Sequence, residues 1–305
     1  MKAEARSLGF FACGIAQAQP VDNATAAAYR QWIADGRHAD MHYLAENIEK
    51  RLDPTLLVSG ARSIVVVAMS YAPPRRLPEG EYQLAAYALG RDYHDVVKQR
   101  LRQLCEKCLT AGEAEDVAVK VAVDTVPILE RYWAEKAGIG FVGRNHQLII
   151  PGGGSMSFLG EIVTTAVASD YDAPIEKHCG RCRRCIDACP TGALTAGEVV
   201  FDASRCLSYQ TIENRGPIAG QYADKLGDFI YGCDRCQLVC PWNTAASPTE
   251  VEEFWASDAL LRMRRDDWRH LSEDDYRRLF KGSAVKRAKY AGLKRNIDAA
   301  EKANR

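Results

Sequence analysis

The sequence has no long apolar run, and this absence limits the classes of protein to which it can belong. Its 305 residues nowhere approach the roughly eighteen consecutive apolar residues of a membrane span, so we expect no transmembrane helix. The N-terminus lacks the apolar core of a signal peptide, because Gly9, Cys13 and Gly14 interrupt it. We therefore expect a cytoplasmic protein with no membrane partner.

An excess of either charge is also lacking. The chain has 40 Lys and Arg against 40 Asp and Glu, which gives a formal net charge of zero. This balance excludes a surface coated with positive charge for bulk nucleic-acid binding. A local basic patch is still compatible with this balance, because residues 281–297 (KGSAVKRAKYAGLKRNI) contain six Lys or Arg and no acid. Such a run is either a solvated helical face or a surface that contacts phosphates.

Cysteine, in contrast, is abundant. Eight of the eleven cysteines lie between Cys179 and Cys240. Cytoplasmic thiols stay reduced, so this count favours metal ligation over disulfides. The run CGRCRRCIDACP has the C-x2-C-x2-C-x3-C-P spacing of bacterial ferredoxins, in which the fourth cysteine ligates the other cluster. A second run, CDRCQLVCP, follows, and the eight thiolates match the need of two [4Fe–4S] clusters.

The exchange of the fourth cysteine predicts which residues hold each cluster. The first predicted set is Cys179, Cys182, Cys185 and Cys240. The second predicted set is Cys189, Cys206, Cys233 and Cys236. Structural zinc is the alternative, although zinc sites use paired motifs rather than a triple run with two Cys-Pro closures. We interpret the remaining thiols as half-buried, with a redox or zinc role as the alternative for the last two: Cys13, Cys105 and Cys108.

The residues before the cysteine block alternate helix and strand patterns. Helices are predicted at 25–36, 91–112 and 127–138. Strands are predicted at 61–71 and 116–124, and 145–169 is predicted as a hairpin across a glycine turn. This order predicts an α/β (α+β) domain with a mixed sheet. The predicted division is an α/β domain at 1–170, a ferredoxin-type two-cluster module at 171–249 and a helical basic segment at 250–305.

The stretch VDTVPILERYWAEKAGIGFVGRNHQLIIPGGGSMSFLGEI, the cysteine block and CLSYQTIENRG resemble the epoxyqueuosine reductases over nearly the whole chain. The most specific parts are D-T-x-P-x-x-E-R and G-C-D-x-C-Q-x-x-C-P-W-N. The resemblance implies reduction of the epoxide of epoxyqueuosine to queuosine in the tRNA anticodon loop. It also implies two [4Fe–4S] clusters, a base-off cobalamin in the α/β domain, and an unidentified low-potential electron donor. We expect a monomer.

The resemblance also implies roles for individual residues. Asp124, at the end of a strand, matches the acid that protonates the epoxide oxygen, and we expect burial against the corrin to raise its pKa. The alternative is that Asp124 only caps the following helix. Seven further residues match positions near the corrin or the clusters: Arg51, Tyr87, His94, Arg144, Asn145, Ser208 and Asp234. His94 is not interpreted as an axial cobalt ligand, because Val97 stands where that motif has glycine.

Two other functions remain open on the sequence alone. One is a corrinoid iron–sulfur reductase that acts on a small molecule, as dehalogenases do. The other is a non-catalytic carrier with two clusters. The chain ends at Arg305 without the helical repeats that many members of the family use to hold tRNA. We therefore expect either that the basic 281–297 segment suffices for tRNA or that binding is weaker and more salt-dependent.

Overall fold

The computed structural model describes residues 1–109, 117–195 and 200–303. Its strands are β1 Ala12–Gln17, β2 Ser63–Ser70, β3 Gln83–Leu84, β4 Val119–Ala122, β5 Phe141–Val142, β6 Leu148–Ile149, β7 Ser157–Thr164 and β8 Phe229–Tyr231. Its first α-helices are α1 Lys2–Ser7, α2 Asn23–Ala34, α3 Ile48–Leu52, α4 Tyr93–Cys108 and α5 Glu130–Lys136. The later ones are α6 Arg184–Asp187, α7 Leu207–Ile212, α8 Gly220–Ala223, α9 Arg235–Leu238, α10 Asp258–Arg262, α11 Arg265–Arg269, α12 Glu273–Leu279 and α13 Lys289–Ala303.

The largest sheet has the strand order β1-β2-β7-β4 and is covered on both faces. Alternate residues of β2 enter two separate apolar clusters, so that Val65 and Val67 face one side while Ile64 and Val66 face the other. This is why β2 reads as a continuous apolar run rather than as an alternating one. Helix α4 packs on the first face, and Trp133 of α5 is buried on the second.

The sheet is antiparallel between all neighbours, which corrects the mixed sheet expected from the sequence. Strands β2 and β4 do run in the same direction, and α4 connects them as in a parallel unit. Strand β7 comes later in the chain but lies between them, antiparallel to both. The alternating pattern of strands and helices does not reveal this insertion. The short parallel pair of β3 and β8 lies apart from the main sheet.

The hairpin predicted for residues 145–169 is wrong. Strand β6 pairs with β5, whereas β7 pairs with β2 and β4. The intervening glycine turn carries a single antiparallel bridge between Ile150 and Gly154. The apolar run before the turn and the run after it therefore belong to different sheets.

Helix α4 begins and packs as local chemistry dictates. The Asp92 carboxylate caps its N-terminus by accepting a hydrogen bond from the His94 amide at 3.1 Å. A side chain at Gly160 of β7 would meet Leu101 of α4 at 2.7 Å, so the missing Cβ lets the helix approach the sheet. The predicted helix at 91–112 is confirmed as far as Cys108, and its expected end at Gly112 lies outside the described residues.

The later helices share a core with the rest of the chain. One apolar cluster includes Val67 of β2, Ile230 of β8, and Trp268 and Leu293 of the last helices. The three-part division of the chain stays a prediction. Within the described ranges, we find no helix with both the length and the apolar character that a membrane crossing requires.

Candidate active site and cluster sites

A cavity of about 440 Å³ joins the α/β part of the chain to the cysteine-rich part. One side is formed by Tyr93 of α4, Asp124 after β4, Glu130 of α5, and Ser157 and Leu159 of β7. The other side is formed by four cysteines that we call the inner cysteines: Cys189, Cys206, Cys233 and Cys236. An acid predicted from one half of the chain and thiols predicted from the other thus line the same space.

Asp124 is held at the cavity by its backbone and by its carboxylate. Its φ of +54° lies in the left-handed region, an uncommon conformation for a residue with a side chain. The backbone amide donates to Glu130 Oε1 at 2.6 Å. The Tyr93 hydroxyl donates to Asp124 Oδ2 at 2.5 Å, and His94 Nε2 lies 3.3 Å from the same oxygen. The side chain remains 58% exposed, toward the cavity.

The rise in the pKa of Asp124 that is expected from burial against the corrin stays a prediction, and the protein's own contacts act in the opposite direction. Burial alone would raise the pKa of Asp124, but the hydrogen bonds from His94 and Tyr93 outweigh it and lower the pKa below its usual value. Burial likewise opposes the charged form of His94, yet the carboxylates of Asp124 and Asp92 raise the pKa of His94 to about 9. At neutral pH the pair therefore holds one proton, and that proton is on the imidazole.

The helix-cap alternative for Asp124 can be compared with its contacts. Helix α5 begins at Glu130, later than the predicted start at Pro127, and no side-chain hydrogen bond caps it. The Asp124 carboxylate instead accepts from Tyr93 and approaches His94. Its contacts are thus with the first turn of α4, and they leave the carboxylate at the cavity.

Four of the other predicted residues line the cavity: Tyr87, Asn145, Ser208 and Asp234. The Tyr87 hydroxyl donates to the Tyr231 hydroxyl at 3.2 Å. Asn145 is buried, and its Nδ2 has no hydrogen-bond partner among the described residues. Asp234 accepts from the Ala86 amide at 2.7 Å, so part of its carboxylate is already used to hold the fold together.

The remaining three lie outside the cavity wall. His94 contacts Asp124 from the side, as described above. Arg51 is buried on α3 and donates to the Tyr43 carbonyl at 3.3 Å. Arg144 is exposed and donates to the Gly180 carbonyl at 3.0 Å, while its backbone amide donates to the sulfur of Cys179 at 3.5 Å. Arg144 therefore lies beside the cysteine block.

A second, smaller cavity is lined by the cysteines that we call the outer cysteines: Cys179, Cys182, Cys185 and Cys240. Burial raises the pKa of Cys185, and the Cys179 and Cys240 thiols, which lie close to it, raise it further. In the other group, burial and then Cys189 raise the pKa of Cys206. The structure thus gathers the thiols into the two predicted groups of four.

Two short helices explain the exchange between the cysteine runs. Helix α6 carries Cys185 and α9 carries Cys236, and the two helices pack on each other. The chain after α6 leads Cys189 toward the inner group, and the chain after α9 leads Cys240 toward the outer group. Phe141, Ile149 and Trp242 pack beside Cys240, which gives the outer cavity an apolar wall.

The residues present fit the expected cofactors. Four thiols around one cavity form the donor set of a [4Fe–4S] cluster, and each group provides four. At the larger cavity, Ser157 Oγ and Asn145 Nδ2 are buried without a partner among the described residues, and Asn145 also lines the cavity of the outer cysteines. A corrin carries amide side chains that pair with such groups, and the aromatic rings of Tyr71, Tyr93 and Phe158 provide flat apolar contacts.

The cysteines outside the block match their predicted burial in part. Cys105 is buried and Cys108 is half-buried, both on α4, and Cys13 is half-buried on β1. No two of the chain's cysteines form a disulfide in the described residues, which cover all eleven. The prediction of half-buried thiols is confirmed for Cys108 and for Cys13, although Cys13 lies on a strand, and it is wrong for Cys105, which is fully buried on α4.

Two cavity residues were not singled out from the sequence. Tyr93 lies inside the DYH stretch and donates to Asp124. Glu130 lies inside the D-T-x-P-x-x-E-R motif, where the sequence pattern indicates only a helix. Burial, and then the neighbouring Asp124 carboxylate, raise the pKa of Glu130 to about 7. An acidic residue six positions after Asp124, in the first turn of the next helix, was the available signal.

The basic 281–297 segment is partly used within the fold. Arg287 pairs with Glu213 at 2.7 Å, and Lys294 lies 3.3 Å from an Asp298 oxygen. Arg295 donates to backbone carbonyl oxygens in and after α7. The other three basic residues of the segment are exposed: Lys281, Lys286 and Lys289.

Comparison with known proteins gives the chain its family. Residues 178–243 match the family model of a 4Fe-4S double cluster binding domain, and residues 51–125 match that of epoxyqueuosine reductase QueG, DUF1730. An epoxyqueuosine reductase of Cellulophaga algicola is 40% identical over 298 residues, which span 98% of this chain and 96% of the relative. The chain belongs to the epoxyqueuosine reductase family. It is therefore an iron–sulfur oxidoreductase, and the zinc alternative is not favoured.

Solved structures of epoxyqueuosine reductases have the same fold. One, in complex with a tRNA-Tyr epoxyqueuosine-modified stem loop, matches with a TM-score of 0.88 at 30% identity, over 98% of this chain and 79% of that chain. Another, from Bacillus subtilis, has its catalytic aspartate loop swung out of the active site. It matches with a TM-score of 0.87 at 29% identity, over 98% of this chain and 79% of that chain.

Proposed function

We propose that this epoxyqueuosine reductase reduces epoxyqueuosine to queuosine within the anticodon loop of tRNA, in the cavity that Asp124 shares with the inner cysteines. That shared cavity is the observation that carries the proposal. It brings a proton-carrying site and four iron ligands to one place, which is what a reductive opening of an epoxide requires. The family relative crystallised with an epoxyqueuosine-modified stem loop supports tRNA as the substrate.

In this proposal the outer and the inner cysteines each hold one [4Fe–4S] cluster, and the larger cavity holds a base-off cobalamin. When bound, these cofactors supply the two electrons of the reaction at low potential. Tyr87, Asn145 and Ser208 contact the corrin from the cavity wall, and Asp234 supports it from beside the inner cysteines. Arg144 lies beside Cys179 and serves the outer cluster rather than the corrin. Arg51 supports the cavity from outside, by bracing the Tyr43 loop.

Asp124 is the residue that delivers a proton to the epoxide oxygen. Its carboxylate is ionised at neutral pH, so the proton comes from His94, whose pKa is raised to about 9. The 3.3 Å contact between His94 Nε2 and Asp124 Oδ2 provides the path. Tyr93 orients the same carboxylate oxygen with its 2.5 Å hydrogen bond. An alkoxide is a far stronger base than either group, so the transfer is downhill.

The partners follow from the distribution of charge. Four exposed basic residues around the outer cysteines, interspersed with the exposed acids Glu176 and Asp187, form what we call the basic rim: Lys177, Arg181, Arg183 and Arg184. We assign the low-potential electron donor to this rim, because opposite charge steers a small acidic carrier to the cluster held there.

Lys281, Lys286 and Lys289 remain exposed for the phosphates of tRNA. The enzyme acts as a cytoplasmic monomer, divided into segments 1–170, 171–249 and 250–305 for corrin, clusters and tRNA.

Two competing functions are less well supported. A small-molecule corrinoid reductase and a carrier with two clusters would both use the cysteines. Neither accounts for a relative named epoxyqueuosine reductase that is 40% identical across 98% of this chain. A carrier also has no use for a cavity lined by Asp124 and Tyr93 beside the inner cysteines.

The test is a single-turnover assay on an epoxyqueuosine tRNA stem loop with anaerobically reconstituted, reduced protein. We expect queuosine to form in the wild type. We expect Asp124→Asn to slow its formation by about 10²- to 10⁴-fold, because the proton path is cut. Iron, sulfide and corrin contents should stay unchanged. Exposed Asp170→Asn is the matched control and should react at the wild-type rate.

The outcomes separate the claims. A fully loaded wild type that forms no queuosine would reject the proposed function. A normal rate in Asp124→Asn would keep the function and remove Asp124 from the proton path. Loss of corrin or iron in Asp124→Asn would instead assign the residue to cofactor binding.

A further inference from the structure

A carboxyl group is sealed into the sheet beneath the active-site cavity. Glu161 lies in the middle of β7 with a relative exposure of 0%. Its cross-strand neighbours are the apolar residues Val66 and Ala122. Neither carboxyl oxygen has a hydrogen-bond partner among the described residues. A buried, unpaired carboxyl group is costly, and it is held only in its neutral form.

Glu161 lies directly behind the cavity wall. Leu159, two residues earlier on the same face of β7, lines the cavity. Successive residues on one face of a strand are about 6.6 Å apart, which places Glu161 one step deeper. Glu130 approaches from α5 on the same side of the sheet and also lines the cavity. Its Oε1 accepts the Asp124 amide hydrogen at 2.6 Å, so it is next to the proposed proton donor.

The charges around the two glutamates keep both of them protonated at mildly acidic pH. Burial, and then Glu130 and Asp124, raise the pKa of Glu161 well above its usual value. The groups that act on Glu130 are Asp124, Arg131 and His94, together with the burial that brings its pKa to about 7. A carboxylic acid that titrates near neutral pH and faces the cavity matches the requirement for a general acid.

The proposed reaction needs a second proton. Removing the epoxide oxygen consumes two electrons and two protons, forms a carbon–carbon double bond, and releases that oxygen as water. The electrons come from the low-potential donor of the proposed function. The Asp124–His94 pair stores one proton, which makes a hydroxyl from the epoxide oxygen. A second acid must protonate that hydroxyl as it leaves.

We propose that Glu130 donates this second proton, and that Glu161 is a positioning residue whose neutral carboxyl group donates a hydrogen bond to the Glu130 carboxylate once the proton has left. The inference rests on the proposed function. It gives the sealed carboxyl of Glu161 a partner at the moment when a charge appears beside it. It also explains why a neutral acid, rather than an apolar side chain, lies beneath the cavity.

The first experiment is again single turnover by the reconstituted, reduced protein. Glu130→Gln should slow queuosine formation by about 100-fold, because the amide carries no transferable proton. Its clusters and corrin should load normally. Glu135→Gln, on the same helix α5 but outside the cavity wall, is the matched control and should react at the wild-type rate.

The second experiment follows the pH dependence in two Glu161 variants. In the wild type the rate should fall as pH rises through about 7, where Glu130 loses its proton. Glu161→Leu removes the hydrogen-bond donor, so the pKa of Glu130 should rise. The pH at which the rate falls, which we call the alkaline limb, should then move up by about one pH unit. Glu161→Gln keeps an N–H donor at the same place and should leave the limb near its wild-type position. A merely structural residue would not show this difference.

The third measurement needs no turnover. Infrared difference spectra of the substrate-free holoprotein should show a protonated carboxyl that disappears near pH 7 and is absent from Glu130→Gln. A second protonated carboxyl should persist above that pH and be absent from Glu161→Gln. If Glu161→Leu does not fold, the Glu161→Gln spectrum and pH profile still decide the point.

The results distinguish this inference from the proposed function. A wild type that forms queuosine alongside an equally fast Glu130→Gln would overturn the inference and leave the function standing. Spectra in which both carboxyls are ionised at pH 6 would overturn it as well. A loaded wild type without activity would reject both.

Discussion

At the scale of single residues, the active site is defined by carboxyl groups that differ in their partners. Asp124 receives hydrogen bonds from Tyr93 and His94, which stabilise its charge and lower its pKa. Glu161 has no such partner among the described residues and is sealed from water, so its pKa rises. Glu130 lies between these extremes. Three acids on neighbouring elements thus differ in how far they are protonated at the same pH.

Asp92 helps to determine the pH at which His94 loses its proton. Asp92 Oδ1 lies 2.6 Å from His94 Nδ1 and helps to raise the pKa of the imidazole to about 9. Asp92→Asn should therefore lower the pKa of His94, so that the second and steeper fall in the rate, which follows the fall that Glu130 causes near pH 7, begins lower by about one pH unit or more. The measurement is the pH profile of single turnover in the variant and in wild type. Asp95→Asn, exposed on the same helix, should leave the profile unchanged; an identical shift in both variants would contradict the assignment.

The sequence predicted the site unevenly at this scale, for physical reasons. The spacing within each cysteine run is a local property of the sequence. Together with the ferredoxin exchange of the fourth cysteine, it predicts both groups of cysteines. Asp124 was found through the resemblance, but its lowered pKa depends on Tyr93 and His94, which reach it from another helix. The burial of Glu161 could not be predicted, because an acid in a strand is normally expected to face solvent. Only the sheet order shows that both faces of β7 are covered.

At the scale of secondary-structure elements, the approach of α4 to β7 positions both Tyr93 and His94. Both side chains extend from the first turn of α4 toward Asp124. The close approach depends on Gly160, where an added Cβ would lie 2.7 Å from Leu101 Cδ1 and 3.1 Å from Val97 Cγ1. The buried side chains of Leu101 and Val97, or the helix that carries them, would have to shift to accept any side chain there.

Gly160→Ala should therefore destabilise the protein by about 1–3 kcal/mol, the usual cost of overpacking a core. Urea denaturation followed by circular dichroism under anaerobic conditions measures this loss. Gly220→Ala is the matched control, because nothing lies within 4 Å of a Cβ built at Gly220. It should be neutral or stabilising by up to about 1 kcal/mol, since alanine favours helix α8. Equal losses in both variants would show that the α4 contact is not the cause.

The elements themselves were predictable where periodicity and caps are strong. Helices α2 and α4 and the buried strand β2 follow the sequence closely. The sheet order was not predictable, because a residue pattern reports which face of a strand is buried and not which strand lies beside it. The two apolar runs around Gly152 looked like a hairpin, yet they pair with β5 and with β2 and β4 instead.

At the scale of the whole molecule, zero net charge conceals a local basic surface. The basic rim surrounds the outer cysteines, whereas the larger cavity is lined by charged residues of both signs: Asp124, Glu130 and Asp234 with Arg131 and Arg235. Arg183 of the rim lies 3.6 Å from Asp187, so Lys177 and Arg181 are the clearer candidates for contact with a partner. Electrons and substrate are therefore expected to reach the enzyme at different surfaces.

The double variant Lys177→Ala/Arg181→Ala should slow reduction of the clusters by a reduced, acidic flavodoxin by about tenfold at low salt, because steering by opposite charge is lost. Stopped-flow absorbance of the clusters measures the rate. Reduction by methyl viologen radical, a small cation, should not slow. The control Lys50→Ala/Lys302→Ala removes two exposed charges elsewhere. Equal slowing with both reductants would point to a damaged cluster instead of a lost docking surface.

The position of β7 has a consequence for how the protein is made. The strand that closes the main sheet leaves the ribosome after both of the strands that flank it. Until Ser157–Thr164 emerges, the nascent chain exposes β2 and β4 with their facing edges unpaired, and such edges invite aggregation. We therefore expect synthesis of this enzyme to depend on chaperones that shield those edges, and we expect fragments truncated before residue 157 to be insoluble.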